Sequence, residues 1–322
     1  MRGGPLASPL VTLRIFTEPQ QGASYEQLLA VARAAEELGY GAFFRSDHFL
    51  KMGSASGRPA ATDAWVTLPG LARDTTTIRL GTLVTPVTFR PLGTFSAVVA
   101  EVDQMSGGRL EVGLGAGWYE QEHQAFGLPF PDVAARYDRL EDQLAVLAGV
   151  WAAEPGATFS LQGRTLAVQI DADTVRPAQR PHPPVVLGGQ GGPRSARLAA
   201  AYADEYNVSF VPADHMQRVH DQVRRACDAA GRDPASVVYS AGQVLCCGRS
   251  DAEVARRAAA IGREVAELRE NGLAGSPDEV LAKLGRFSDR GGERFYLQVL
   301  DLADLDHLRL VAETVLPHAP GR

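Results

Sequence analysis

Lysine is almost missing from this chain: of 32 basic side chains only Lys51 and Lys283 are not arginine. The abundance of arginine is therefore compositional, and no single Arg carries functional weight by type alone. Basic charge as a whole is in deficit, with 38 acidic residues and a net charge of -6. That excludes the broad basic surface that tracks a nucleic-acid backbone. Long hydrophobic runs are absent too. The longest uncharged apolar stretch, Leu144–Ala153, falls far short of the roughly 20 residues that span a membrane. Met1–Leu10 lacks the continuous apolar segment of a secretory signal, so the cytoplasm is the expected location. Cysteine is scarce: Cys227, Cys246 and Cys247 cannot all pair and form no CxxC or CxxH spacing. A reduced compartment and no structural metal follow.

What is present is an ordinary globular composition, 45% apolar and 22% charged, arranged as a regular alternation. Strands are expected at Leu10–Phe16, Gly41–Arg45, Ile78–Val84, Leu110–Gly113, Pro184–Leu187, Glu205–Val208, Val237–Val244 and Arg294–Val299. Helical patterns separate them, from Tyr25–Leu38 through Asp251–Asn271 to Asp304–Val315. Several strands are continuous apolar runs, as in a parallel sheet covered by helices. Ser24 with Gln27 forms a capping-box pattern, and Ser276-Pro277-Asp278-Glu279 reads as a second helix start. Eight such units in 322 residues predict an α/β fold, a (β/α)₈ TIM barrel with insertions at its C-terminal mouth, in preference to a doubly wound open sheet. With no internal repeat and no linker, residues 10–318 read as one domain. The proline-dotted stretch Glu154–Pro183 reads as an insertion over one mouth of the barrel.

Barrel active sites lie at the C-terminal strand ends, so the residues leaving each strand carry the functional signal. The second strand runs into Asp47-His48, an acid beside a base that titrates near neutrality. A capping Asp and a packed His are the alternative. The third strand ends in Gly81-Thr-Leu-Val-Thr-Pro-Val-Thr-Phe-Arg90, where Thr85 sits at the strand mouth. The fourth ends in Gly113-Leu-Gly-Ala-Gly-Trp-Tyr119, whose GxGxG spacing fails the dinucleotide fingerprint but would let a flat ligand approach the backbone. The fifth passes through Gly188-Gly-Gln-Gly-Gly-Pro-Arg-Ser195 into a helix. That turn collects free N–H groups and the positive helix end, which suits a phosphate.

Together Ser46–Phe49, Arg79–Arg90, Asp103–Arg109, Gly113–Tyr119, Pro184–Gly189 and Ala201–Asn207 resemble the luciferase-like monooxygenase superfamily. The resemblance is to its actinobacterial branch of coenzyme F420-dependent oxidoreductases. It implies a cofactor lying across the strand ends, with Asp47, His48 and Thr85 along the deazaflavin ring. Thr82 and Leu83 would form a non-proline cis peptide behind it. Ala116, Gly117 and Gln121 would border the ring and ribityl chain, and Gly191, Gly192 and Arg194 would meet the phosphate. The implied activity is hydride exchange between F420 and a small organic substrate, with His48, beside Asp47, as the catalytic proton carrier. An FMN-dependent monooxygenase is the alternative, and a non-catalytic cofactor-binding protein a third reading. The family's sugar-phosphate dehydrogenases carry a catalytic Glu directly after the fourth strand's glycine run. Here Trp118 stands there, which implies a less polar substrate. Dimers are common in the family, so a second copy of this chain is the partner to look for.

Overall fold

The computed structural model describes residues 12–53 and 55–320. Met1–Leu10, and with them the expected start of the first strand, lie outside the described residues. Eight parallel strands form the barrel: β1 (Thr12–Thr17), β2 (Ala42–Arg45), β3 (Arg79–Thr82), β4 (Leu110–Gly115), β5 (Val185–Gly188), β6 (Glu205–Ser209), β7 (Val238–Cys247) and β8 (Arg294–Val299). They pair in chain order, and β8 pairs back onto β1, so the sheet closes as expected. Closure removes the exposed edges that an open sheet would have to protect.

Helices follow every strand: α1 (Tyr25–Glu37), α2 (Ala64–Asp74), α3 (Leu92–Ser106), α4 (Glu120–Ala125), α5 (Val133–Ala152), α6 (Pro193–Tyr202), α7 (Ala213–Ala229), α8 (Asp251–Ala260), α9 (Val265–Asn271), α10 (Pro277–Ser288) and α11 (Leu305–Thr314). The expected capping box at Ser24 with Gln27 is formed, and the expected helix start at Ser276 is itself a capping box with Glu279. In α1, Leu28, Val31, Ala32 and Ala35 supply the buried stripe that lies on the sheet. Among the described residues no helix is long and apolar enough to cross a membrane. The helix expected over Asp251–Asn271 is two helices. The break comes where Gly262 adopts a positive φ of 66°, and a short strand, Leu273–Gly275, then pairs with the end of β7.

The Glu154–Pro183 segment forms an antiparallel hairpin, Thr158–Gln162 with Ala167–Asp171, anchored on α5, where Asp142 accepts the N–H groups of Arg164 and Thr165. Farther on, Gln179 donates to the Leu110 carbonyl and accepts from Arg79. Arg79 and Leu110 open β3 and β4, so the mouth this insertion borders is the N-terminal one. At the C-terminal mouth the added segments are the loop between β2 and α2 and the short helix α4.

Alternation along the strands sorts the two faces. Leu13, Ile15, Phe43 and Leu80 meet the helices, while Phe16, Ala42, Phe44, Val186 and Tyr296 fill the barrel interior. The interior floor is ionic. Arg14 on β1 makes a bidentate pair with Glu111 on β4, at 2.5 and 3.0 Å, and Arg79 also donates to Glu111. Tyr296 donates to Glu205 at 2.8 Å, and Arg294 donates to the other Glu205 oxygen at 2.6 Å. Burial alone would push the Glu111 carboxyl up, but Arg14 and Arg79 outweigh it and hold it well below the usual carboxylate range. Cys227 on α7 and Cys246 and Cys247 on β7 are buried and unpaired. Burial raises all three thiols, Cys247 to about 12.

Two predictions follow from the buried charges. Glu111→Gln keeps the shape but leaves Arg14 and Arg79 without their anion, so it should cost about 3–5 kcal/mol in urea denaturation, the usual penalty for breaking a buried pair. A loss below about 1 kcal/mol would show that the floor does not hold the barrel together. The second concerns His220 on α7, fully buried and 5.1 Å from the Tyr239 ring. Neither of its ring nitrogens makes a hydrogen bond of ordinary geometry among the described residues. Burial pulls its pKa down to about 3, reinforced by Arg224 and opposed only weakly by the Ser240 backbone. Below about pH 6.5 the unfolded chain binds a proton that the folded chain refuses. Stability should therefore fall on acidification, by up to about 2 kcal/mol between pH 7 and 5 from this residue, and His220→Leu should flatten that limb. A pH–stability curve identical in the variant would rule His220 out as its source.

Candidate active site

The chain leaves β2 through three side chains that anchor it. The buried Arg45 guanidinium donates to the Thr62 hydroxyl and carbonyl, at 2.9 and 2.7 Å, and to Thr67 at 2.6 Å, tying the loop after β2 to the start of α2. Ser46 donates to Gln20 at 2.6 Å. Asp47, 1% exposed, accepts a bidentate pair from Arg90 at 2.6 and 3.2 Å and the Thr85 hydroxyl at 2.9 Å. Arg90 also holds Asp63, the N-cap of α2. Both Asp47 oxygens are thus committed, and this carboxylate acts as an anchor for the site rather than as a free acid or base.

Thr85 accepts from Trp65 Nε1 at 2.8 Å, leaving its single proton for Asp47. Thr82 donates to the Gly113 carbonyl at 3.0 Å. The non-proline cis peptide lies at Leu83–Val84, one bond later than the resemblance placed it. Leu83 tops the interior cluster, half-exposed toward the mouth. The glycines of β4 have a different purpose from the one the sequence suggested. A Cβ on Gly113 would lie 1.7 Å from the Thr82 carbonyl oxygen, and one on Gly115 would lie 2.8 Å from Val84. They make room for the chain's own bulge after β3. Ala116 and Gly117 follow at the rim, half-buried, with Gly117 at φ 81°.

His48 is held from below by a residue the sequence reading passed over. Glu122 on α4 is fully buried. Its Oε2 lies 2.9 Å from His48 Nδ1, and its Oε1 accepts the N–H groups of Phe49 and, at 2.8 Å, Leu50. An ionised carboxylate only accepts, so Nδ1 carries the proton and Nε2 is the position left for exchange. Among the described residues Nε2 has no hydrogen-bond partner. Trp118, 64% exposed, and Tyr119 stack on one another and meet the His48 ring edge-on, at 5.8 and 6.1 Å. Gln121, expected at the ring, lies on the exposed face of α4. A second missed carboxyl is Glu18, directly after β1. Burial pushes it above its ordinary value, partly offset by His48. The strand-end rule applied at β2 would have found Glu18. Glu122 had only its place in Glu-Gln-Glu-His123 as a signal.

At the fifth strand, Gly191 takes φ 69° and donates its N–H to the Tyr206 hydroxyl at 3.0 Å. Gly192 caps α6 without a side-chain bond, and the N–H groups of Arg194 and Ser195 have no partner among the described residues. The Arg194 side chain turns away to α5, where it donates to Asp138, to Glu141 at 2.9 Å and to the Ala134 carbonyl at 3.0 Å. Anion-binding capacity at this turn therefore rests on backbone donors and the helix dipole. Among the described residues no group of three or more His, Cys, Asp or Glu side chains could hold a metal ion.

In sequence and fold the chain is similar to known proteins. An F420-dependent glucose-6-phosphate dehydrogenase from Beutenbergia cavernae is 31% identical over 186 residues, 56% of this chain and 51% of that protein. An FMNH(2)-dependent dimethylsulfone monooxygenase from Pseudomonas putida is 31% identical over 134 residues, 41% of this chain and 36% of its own length. The chain spans about half the length, or less, of these curated relatives. The solved structure of monooxygenase RslO1 from Streptomyces bottropensis superposes with a TM-score of 0.75 at 26% identity, covering 96% of this chain and 99% of that one. The luciferase-like monooxygenase family model matches residues 10–299. With its closed barrel, its bulge after β3 and this match over most of its length, the chain belongs to the luciferase-like monooxygenase family.

Proposed function

We propose that the chain is a coenzyme F420-dependent oxidoreductase that passes hydride between the deazaflavin and a small organic substrate. The observation that carries this reading is His48, fixed at Nδ1 by Glu122 with Nε2 open at the mouth. Reducing a carbonyl by hydride leaves an oxygen that needs a proton, and the reverse reaction must remove one. A buried carboxylate behind an imidazole keeps the ring in one tautomer for that exchange. The residues fit the cofactor. Leu83 and the half-buried rim at Ala116 and Gly117 offer an apolar back and edge to a flat ring. The unpartnered N–H groups of Arg194 and Ser195, with Gly192, would receive its phosphate. When bound, the deazaflavin supplies hydride chemistry without oxygen chemistry. The chain then orients the substrate beside Nε2 and holds the proton there.

The competing reading is an FMN-dependent monooxygenase, favoured by the likeness to RslO1 along nearly the whole chain. Titrating the purified protein with F420 and FMN separates the two. F420 should bind far more tightly, and its reduced complex should persist in air. Tight FMN binding with substrate-coupled O₂ uptake, and none of F420, would decide for the monooxygenase.

His48→Asn should cut turnover by about 10²–10⁴-fold with cofactor affinity unchanged. Glu122→Gln should lower kcat by about tenfold or more while KM and cofactor affinity hold, because it loosens the ring's orientation rather than the binding surface. A Glu122→Gln enzyme that loses cofactor affinity and kcat together would make Glu122 a structural support of the mouth only.

A further inference from the structure

An open groove of about 500 Å³ lies at the C-terminal mouth, between the 3₁₀ turn Pro19–Gln21 after β1 and the loop after β2. One wall is apolar, built from Phe49, Leu50, Pro59, Ala60 and Ala61. Lys51 and Arg58 also line it, and no carboxylate does. Neither cation forms an ion pair among the described residues. Lys51 spends one donor on the Ala55 carbonyl at 2.7 Å, and among the described residues no side-chain bond holds Arg58. Gln20 also lines the groove, 1% exposed. Its Oε1 is taken by Ser46, while its Nε2 makes no hydrogen bond of ordinary geometry, although it lies near Glu18.

The groove is attached to the catalytic His. Glu122 holds the backbone N–H groups of Phe49 and Leu50 with one oxygen and His48 with the other. Tyr119 donates to the Lys51 carbonyl at 3.1 Å, and Met52 donates to Gln21 at 3.0 Å. In a chain of net charge -6, two uncompensated cations over an apolar wall make a local reversal of sign. Arginine's planar fork matches a carboxylate, and lysine adds a point charge.

We propose that this groove is the substrate subsite of the active site and takes a carboxylate carried on an apolar skeleton. The proposal rests on the oxidoreductase reading for its role in turnover, so binding is measured without cofactor as well as with it. The probes are cinnamate and its neutral isostere cinnamamide, titrated calorimetrically into the cofactor-free protein at low and high salt. Cinnamate should bind about tenfold more tightly or better, and the preference should shrink as salt screens the cations. Lys51→Met/Arg58→Met, two exposed positions, should abolish the preference while leaving F420 affinity and thermal melting unchanged, and His48→Asn should keep it.

Equal binding of both probes, no measurable binding of either, or a preference that survives the double variant would overturn the proposal. So would a fall in F420 affinity in the double variant, which would assign the cations to the cofactor's own anionic tail. If the wild-type chain binds neither F420 nor FMN yet keeps the cinnamate preference, the oxidoreductase reading fails and the anion site stands.

Discussion

Arg14 and Glu111 face each other across the inside of the barrel, on strands three places apart, and the interior is arranged around their pairing. Charges this deeply buried are tolerated only when each finds its counterpart with good geometry. Register across the floor is therefore fixed by chemistry as well as by the backbone ladder. Arg79, Glu205, Arg294 and Tyr296 complete the set, three cations against two anions with a phenol between them. Tyr296 also belongs to the apolar layer above, with Phe16, Phe44 and Val186. The ion pairs of the interior are thus gathered at the N-terminal end, below the apolar layer.

Two carboxylates organise the C-terminal end, and neither is offered to a ligand. Asp47 binds Arg90 and Thr85 and so joins the exits of β2 and β3, while Arg90 reaches on to the cap of α2. Glu122 binds three donors from one short stretch, His48, Phe49 and Leu50, and so joins the exit of β2 to α4. The result is one imidazole nitrogen held toward the mouth by a rigid base. Under the proposed oxidoreductase reading, such an arrangement would favour proton transfer, because the group's orientation is settled before substrate arrives.

Much of this was legible in the sequence. Alternating apolar runs gave eight strands and their order, since a parallel strand buried on both faces has a distinctive composition. The capping box at Ser24 and the Ser276-Pro277-Asp278-Glu279 signal placed helix starts to the residue. Asp47 and Thr85, singled out because strand ends are where a barrel builds sites, are hydrogen-bonded to one another in the structure. Other features needed coordinates. The glycines at 113 and 115 were read as space for a ligand, but the space is filled by Thr82 and Val84, and a missing Cβ does not announce its occupant. Arg194 was read as a phosphate partner, yet two carboxylates on α5 are near enough to claim it. Glu122 escaped because its role depends on how a short helix folds back over the β2 loop. Its neighbour Gln121, one residue away, faces outward.

The three buried thiols give the C-terminal half of the barrel a built-in clock. An alkylating reagent attacks the thiolate and must reach the sulfur, and here burial both blocks access and raises the thiols, Cys247 to about 12. Cys246 and Cys247 sit on β7 and Cys227 on α7. Modification must therefore wait for a local opening, of α7 for Cys227, and of β7 or of α8, whose Val254 carbonyl accepts from the Cys246 thiol, for the other two. The rate of labelling reads the opening of those elements directly, and a bound ligand that clamps the mouth would slow it only if that opening passes through the mouth.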